Sequence, residues 1–500
     1  MVKPLWALGK ENSFDQAVLA YTAGDDIVLD QVLVFYDCLV NQAHQLMLAK
    51  VGLLSKKQVK QAVVALDVVK KLHKKGTFEM RAALEDVHSN IEAYVSAHAG
   101  PAIGGNLGFG LSRNELVMTD TRMFLREKLL VVIEEITACI EGLLFVAKDH
   151  VGTIMPSFEH GQPAQPITYA HWLLSKCYQF LDDEMNLEQM YNKINLCPLG
   201  MNEQAGTHLP LDEKFVAQCL GFDDLMPNSL YAVGLRGELE LGLLGAFVSL
   251  GLHIGRIMHE VISWSSVGYQ FVEIDSIYTT GATAAPGVKN PDTLEIVRAK
   301  CASLYSAYLE VLMIMDSLPS GYNRDSQQTK PVLFQSVEMV IKTLPVFADI
   351  LKTLKINTAS MREHIGLFST AGDVTSQLAW KTGLPFRDAY KLIQVLIDGG
   401  SITSFAQLTP AAISQATVKM IGKSITLSKA DIAAVATAQA RVNACVGIGG
   451  PSPSQTKRML DDVQKKTGTI TGWVSGSQKK LTHSFALLEE EVAHFVGKNI

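Results

Sequence analysis

Polar side chains suited to catalysis or ligand binding lie in five short segments of the sequence. A histidine such as His160 can act as a general acid, and Thr283 and Lys289 could together supply a base. Hydroxyls, amides and an ammonium group are the usual partners of a carboxylate. The segments therefore favour an anionic small-molecule ligand, and their candidate residues are His88, Asn90, Ser112, Asn114, His160, Thr283, Lys289, Asn290, Tyr322, Gln327 and Lys330.

Several of these segments have a recognisable residue order. Glu85-Asp-Val-His-Ser-Asn-Ile-Glu92 is the longest, and others follow at Ser112-Arg-Asn114 and His160-Gly-Gln-x-Ala-Gln-Pro166. Together with related motifs between about residues 14 and 460, they resemble the fumarase/aspartase superfamily, with argininosuccinate lyase as the nearest branch. The remaining motifs are Asp30-x-x-Leu33-x-x-x-Asp37, Gly281–Pro291, Tyr322–Lys330 and Gly383-Leu-Pro-Phe-Arg-Asp-Ala389.

The resemblance implies a reaction. Family members remove a proton next to a carboxylate of a succinyl adduct, stabilise the aci-carboxylate that forms, and protonate the departing nitrogen so that fumarate leaves. His160 would be the general acid or its relay. The substrate would be bound by His88, Asn90, Ser112, Asn114, Asn290, Tyr322, Gln327 and Lys330. The resemblance also implies a homotetramer whose active sites each draw on three subunits, and it implies no cofactor and no metal.

The segment Gly281–Pro291 departs from the family's signature loop. The serine that acts as the family's base falls on Ala282, and the family's lysine falls on Val288. A hydroxyl follows the first position by one residue, at Thr283, and an amine follows the second by one residue, at Lys289. A slip of the loop by one residue would bring both groups toward the required places. Pro286 and Asn290-Pro291 keep the ordinary register and argue against that slip.

Other positions also differ from the family pattern. An expected arginine is Leu111, the threonine before the active histidine is Glu159, and an expected aspartate is Tyr231. An unaltered argininosuccinate pocket is not expected, because a site built from hydrogen bonds discriminates strongly against missing partners. Three hypotheses therefore stay open: a carbon–nitrogen lyase with an altered substrate and a rearranged base, a catalytically silent paralogue kept as a binding or structural protein, and different chemistry in the same pocket.

Composition narrows the class of protein. The chain has 500 residues, a net charge of −6 and 48% apolar residues, which predicts a large globular core and argues against nucleic acid as a partner. The apolar run 241–255 is too short to span a bilayer and is predicted to be a helix buried on all sides. Residues 1–11 lack an apolar stretch of signal-peptide length. The seven cysteines form no CxxC pair, so reduced thiols in a cytoplasmic protein are expected.

Apolar residues recur at helical spacing through most of the chain. Steps of three and four residues predict long helices over 56–75, 121–148, 168–196, 235–270, 291–316 and 331–354. Strand signals are sparse, with one short extended piece expected at Phe271–Ile277. The sequence thus predicts an all-α protein of three domains, with helices over 1–105, a central long-helix bundle over 106–360 that forms the tetramer core, and shorter helices over 361–500.

Overall fold

The computed structural model describes residues 16–400 and 402–497, and the segment 1–11 with its predicted lack of a signal peptide lies outside them. The N-terminal part is helical. Ser55 and Gln58 form a capping box that starts α4, whose apolar face is buried. The elements are α1 (Gln16–Ala23), α2 (Asp26–Leu29), a 3₁₀ turn (Asp30–Leu33), α3 (Val34–Lys50), α4 (Lys56–Lys74), a 3₁₀ turn (Ala82–Leu84), α5 (Val87–Ala99) and α6 (Pro101–Gly104).

Long helices form the centre of the molecule and bury one continuous apolar core. The six helices predicted from periodicity are confirmed, because each predicted segment coincides with a helix of the structure. Their helices are α4 and, in the centre, α7 (Arg113–Asp149), α8 (Tyr169–Ile194), α11 (Glu238–Ser265), α12 (Asp292–Met315) and α13 (Thr329–Thr353). Shorter elements connect them: α9 (Glu213–Cys219), α10 (Ser229–Gly234) and a 3₁₀ turn (Arg324–Gln328).

In the part of the chain that the structure describes, four small two-stranded sheets interrupt the helices. The sequence predicted one extended piece at Phe271–Ile277. It is confirmed in part by β5 (Val272–Glu273), which pairs antiparallel with β8 (Lys355–Ile356), whereas Ser276–Tyr278 form a 3₁₀ turn. Two hairpins were not predicted, because short strands rich in Pro, Gly and polar residues give no clear alternation. These are β1 (Ile154–Glu159) with β2 (Gln162–Thr168), and β6 (Thr280–Ala282) with β7 (Ala285–Asn290). The remaining pair is parallel, β3 (Leu196–Cys197) with β4 (Asp224–Leu225).

The C-terminal part divides between two cores. Residues between Val374 and Ala436 form a small apolar core of their own, whereas the last long helix returns to the main core through residues such as Val463 and Leu488. The three-domain division stays a prediction. The elements are α14 (Thr358–Glu363), α15 (Ala371–Thr382), α16 (Phe386–Asp398), a 3₁₀ turn (Phe405–Gln407), α17 (Pro410–Ile421), α18 (Lys429–Ala433), α19 (Ala438–Ala444) and α20 (Pro453–Val496).

Helix α11 corrects one expectation. The run 241–255 was predicted to be buried on all sides, but within one chain only one face is buried, through residues such as Leu243, Phe247 and Ile254. The opposite face remains apolar and carries the exposed Leu252. By length and composition alone, α11 and the segment Arg324–Thr353 could each cross a membrane. Each has about half of its most apolar stretch buried in the bundle, as helices in a protein core do.

Candidate active site

A polar cleft of about 360 Å³ opens beside the start of α7 and gathers five of the predicted residues. Helices α2 and α5, the first turn of α7, the loop after β3 and the segment 322–330 all contribute to it. Three of the five come from the last segment, which contains the 3₁₀ turn Arg324–Gln328 and ends in the first turn of α13. The predicted residues in the cleft are His88, Asn114, Tyr322, Gln327 and Lys330.

Lys330 is held by two carboxylates at the floor of the cleft. Its Nζ lies 2.6 Å from Asp26 Oδ1 and 2.7 Å from Asp30 Oδ1. All three side chains are buried, and Gln327 Nε2 donates to Asp26 Oδ2 at 3.4 Å. Burial alone would lower the pKa of Lys330, but Asp30 and Asp26 outweigh it, and the pKa is raised. Lys330 therefore stays charged at neutral pH, with its charge already compensated inside the fold.

Replacing Lys330 with methionine should destabilise the protein by about 3–5 kcal/mol, because two buried carboxylates would lose their cation. Because the folded-state pKa of Lys330 is raised, its stabilising contribution is present across neutral pH and is lost only as the pH rises through that pKa. Urea unfolding at pH 7 and at one fixed protein concentration measures the loss.

Lys342→Met on the same helix is the matched control. Lys342 pairs with Glu338 at 2.7 Å, but both side chains are about two-thirds exposed, so the free energy of unfolding should change by at most about 1 kcal/mol. Equal losses from the two variants would contradict the role assigned to Lys330.

His88 connects the cleft to a pair of buried carboxylates. Its Nδ1 contacts Asp37 Oδ2 directly and lies 3.9 Å from Asp120 Oδ2. Asp37 Oδ1 accepts a second hydrogen bond, from Asn41 Nδ2 at 2.7 Å. Because Nδ1 is engaged with Asp37, Nε2 is the ring nitrogen left for a ligand in the cleft.

Burial of Asp120 opposes its ionisation in this cluster. It is fully buried, and neither of its carboxylate oxygens has a hydrogen-bond partner among the described residues. Burial, and then the charge of Asp37, raise the pKa of Asp120 well above its ordinary value. Beside Asp37, the buried carboxyl of Asp120 therefore favours its neutral form.

The same three residues could also hold a metal ion, since their ligand atoms all lie within 4.8 Å of one another. A cation bound at about 2.1 Å by each ligand would need those atoms about 3 Å apart around it. His88 and Asp37 are instead in direct hydrogen-bond contact, and the charge of Lys330 acts on Asp120. The direct contact between His88 and Asp37 therefore leaves no room for a metal ion between these two ligand atoms.

The first turn of α7 supplies the polar groups on the opposite wall. Arg113 forms an ion pair with Asp86, whose carboxylate also caps α5 by accepting from Ser89 N. Asn114 Nδ2 donates to Glu203 Oε2 at 2.7 Å. Arg236 Nη1 donates to Asn114 Oδ1 at 3.3 Å, and the Arg236 guanidinium lies 4.7 Å from the centre of the Tyr322 ring. Both walls of the cleft are thus lined with charged groups.

Sequence reasoning did not propose several of the lining residues. Arg113 lies inside the quoted motif Ser112-Arg-Asn114, and Asp30 inside another, so both could have been found there. Asp26 and Glu203 had no such signal, because their roles depend on contacts to Lys330 and Asn114 that are distant in sequence. The charged lining residues missed as candidate site residues are Asp26, Asp30, Glu85, Asp86, Arg113, Glu203, Arg236 and Arg324.

Two predicted ligand-binding residues are used within the fold. Asn90 Oδ1 accepts from Arg81 N at 2.7 Å, and its Nδ2 donates to Asp86 O at 2.8 Å. Ser112 Oγ caps α7 by accepting from the backbone N–H groups of Asn114 and Glu115. Neither lines the cleft. Their local structure is explained by these bonds, and ligand binding by them stays a prediction.

His160 lies at the tip of the β1–β2 hairpin, away from the cleft residues of the same chain. Its side chain is exposed, and its backbone has a positive φ of 54°. The base of the hairpin is anchored by the largely buried Arg441, whose Nη1 donates to Pro166 O at 2.9 Å and whose Nε donates to Asp373 at 3.3 Å. The C-terminal helices thereby fix where the hairpin projects.

The signature segment forms the β6–β7 hairpin and also lies outside the cleft. The pairing of Ala282 with Ala285 places Thr283 in the exposed two-residue turn. Lys289 Nζ donates to Glu273 Oε1 at 3.1 Å, and Asn290 pairs with Thr280. The hydrogen bond from Lys289, and then the charge of Lys355, lower the pKa of Glu273. Within one chain, Thr283 and Lys289 are therefore not assembled with the cleft residues.

Comparisons with known proteins agree with the motifs. Residues 16–305 match the family described as Lyase. The chain is 36% identical to an argininosuccinate lyase of Syntrophotalea carbinolica, over 79% of this chain and 84% of that protein. It is 33% identical to an argininosuccinate lyase of Geobacter sulfurreducens, over 91% of this chain and 98% of that protein.

Solved structures share the fold. An EDDS lyase in complex with formate superposes with a TM-score of 0.82 at 25% identity, covering 93% of each chain. A class II fumarase from Schistosoma mansoni superposes with a TM-score of 0.68 at 15% identity, covering 86% of this chain and 96% of that one. The predicted all-α fold of the fumarase/aspartase type is confirmed.

Proposed function

Since the chain is an argininosuccinate-lyase-like member of the fumarase/aspartase superfamily, we propose that it is a cytoplasmic carbon–nitrogen lyase that releases fumarate from a succinyl-type substrate. The observation that carries the proposal is the cleft, where His88, Asn114, Tyr322, Gln327 and Lys330 meet. The names of the relatives suggest arginine biosynthesis. The replacements at Ala282 and Val288 require an altered substrate or an altered base.

In this proposal the cleft binds the substrate, and two hairpins of other subunits complete the site. His160 protonates the departing nitrogen, and Thr283 removes the proton next to the carboxylate with Lys289 beside it. The pairing of β7 is irregular, and the proposal places the one-residue slip in this irregular stretch. Between the two matched pairs of the hairpin, β7 advances five residues, from 285 to 290, while β6 advances only two, from 280 to 282. The irregular strand can absorb a displaced lysine while Asn290 keeps its place.

The contacts of Lys289 and Thr283 favour the second candidate function, a catalytically silent paralogue kept as a binding or structural protein. Lys289 is engaged with Glu273, and both side chains are 54% exposed. Thr283 is exposed in a turn, and among the described residues no basic side chain forms a hydrogen bond with it. A threonine hydroxyl without an adjacent base is a weak nucleophile and a weak base.

One assay separates these two functions. Purified protein is incubated with argininosuccinate and with a panel of N-succinyl amines, amidines and amino acids, and fumarate release is followed by its ultraviolet absorbance. Release from at least one compound supports the lyase. If no compound releases fumarate while dicarboxylates still bind, the lyase proposal fails and the silent paralogue stands.

We propose that the protein is a homotetramer built on its central helices. Helix α12 exposes apolar side chains that a soluble monomer would rarely leave in contact with water, and α11 has the exposed Leu252. Light scattering should give a mass of about four chains, because tetramers of this kind bury such faces between subunits. A monomer would contradict both the assembly and the three-subunit active site. The exposed α12 residues are Ile296, Tyr305, Leu309, Leu312 and Met313.

A further inference from the structure

The amide of Asn114 has a fixed orientation in the cleft. A guanidinium can only donate hydrogen bonds, so the amide atom of Asn114 that contacts Arg236 Nη1 must be the acceptor, Oδ1. The Nδ2 donor of Asn114 therefore points away from Arg236. That donor is taken by Glu203 Oε2 at 2.7 Å. A carboxylate of the protein thus occupies the place where a ligand carboxylate would meet the amide.

The charges lining the cleft show that Glu203 is unlike the other acidic residues there. Four lining side chains are cationic, namely Arg113, Arg236, Arg324 and Lys330, and five are carboxylates. Four of those carboxylates lie within ion-pair distance of Lys330, Arg113 or Arg324, and they are Asp26, Asp30, Glu85 and Asp86. Glu203 is exposed, and its carboxylate accepts a hydrogen bond from the neutral amide of Asn114. Among the described residues, no cation lies within ion-pair distance of Glu203, unlike the other four carboxylates.

The loop that carries Glu203 is held in place by the protein core. The carboxylate of the fully buried Glu115 accepts from Gly200 N and Asn202 N, both at 2.9 Å. Asn202 has a positive φ of 49°, and its Oδ1 accepts from Glu203 N at 2.8 Å. These hydrogen bonds fix the backbone at Glu203, and they therefore fix the position from which its side chain reaches Asn114.

We propose that Glu203 determines the specificity of the cleft by occupying the anion position at Asn114. It selects against a substrate with a carboxylate at that end. It favours a substrate that presents an ammonium or amidinium group there, because the second carboxylate oxygen of Glu203 can accept a hydrogen bond from that group. The inference rests on the proposed function, in that it takes this cleft as the substrate site.

Binding measurements on the intact protein test this role. Succinate and arginine serve as the dicarboxylate and the cationic probe in titration calorimetry. In Glu203→Gln, succinate should bind about five- to tenfold more tightly and arginine more weakly, because one negative charge is removed at contact distance. Glu203→Asp keeps the charge but shortens the reach to Asn114, so it should weaken arginine binding without matching the gain for succinate.

Glu141→Gln is the matched control, since it removes the same charge from an exposed position on α7. Its affinities should equal those of the unmodified protein. If Glu203→Gln leaves both affinities unchanged, or if it behaves like Glu141→Gln, the inference is overturned. Fumarate release is measured separately: changed affinities without turnover on any compound would leave the role of Glu203 standing while the lyase proposal fails.

Discussion

Purified protein is expected to cleave argininosuccinate several orders of magnitude more slowly than a relative that keeps the loop serine and lysine. Ala282 has no group that can remove a proton, and Val288 has no charge to stabilise the base or the aci-carboxylate. Loss of one such group commonly costs about 10²–10³ in rate. The two losses act on one step, so their combined effect need not be the product. Steady-state fumarate release under saturating substrate gives the comparison.

A repair variant examines the same argument from the other side. Ala282→Ser with Val288→Lys restores the two family groups in the ordinary register, which Asn290 maintains by pairing with Thr280. The repair should raise the rate on argininosuccinate only to the extent that the cleft accepts this substrate. Fast cleavage by the unmodified protein would refute the claim that Ala282 and Val288 occupy the catalytic positions. Val288→Lys alone is the control, since it adds the charge without the base.

Helical periodicity accounts for how well the sequence predicted the fold. In α4, the buried residues Val59, Val63, Leu66 and Val69 recur at helical spacing opposite the lysines. The two hairpins escaped prediction because their residues are placed by other elements. The base of β2 is held by Arg441, which is 275 residues away, and such a contact leaves no local pattern.

The surroundings of α11 show the limit of composition as a guide to burial. Its residues are apolar on all sides, which predicted burial on all sides, yet the single chain covers only the face around Phe247 and Ile254. An apolar composition predicts that a helix face is buried, but it does not predict whether the same chain or another subunit buries it. The outer face with Leu252 is therefore assigned to a neighbouring subunit as a proposal.

The candidate site was predictable where a motif carried it and not elsewhere. His88, Asn114 and Lys330 were identified from motifs, and all three line the cleft. Asp26 was not predicted as a site residue, because its role is to pair with Lys330, which lies 304 residues further along the chain. The pair of buried carboxylates Asp37 and Asp120 was also not predicted, because the sequence does not reveal that the two are buried together.

The hairpin histidine offers the clearest separation of the two candidate functions. If the protein is a lyase, His160→Asn should lower fumarate release by about 10²–10⁴, the usual contribution of a general acid. The substitution should leave the fold intact, because His160 is exposed and has a φ of 54°, a conformation that asparagine adopts more readily than most residues. The assay uses whichever succinyl compound the unmodified protein cleaves best, and light scattering confirms the assembly.

His208→Asn is the control, because His208 is another exposed loop histidine and it lies outside the cleft. Its rate should equal that of the unmodified protein. A general acid protonates the leaving nitrogen, so its loss should matter least for a substrate whose leaving group needs no proton. The defect of His160→Asn should therefore shrink as the pKa of the leaving amine falls across the N-succinyl panel. A uniform defect across the panel would assign His160 to binding instead, and an unchanged rate would remove it from the reaction.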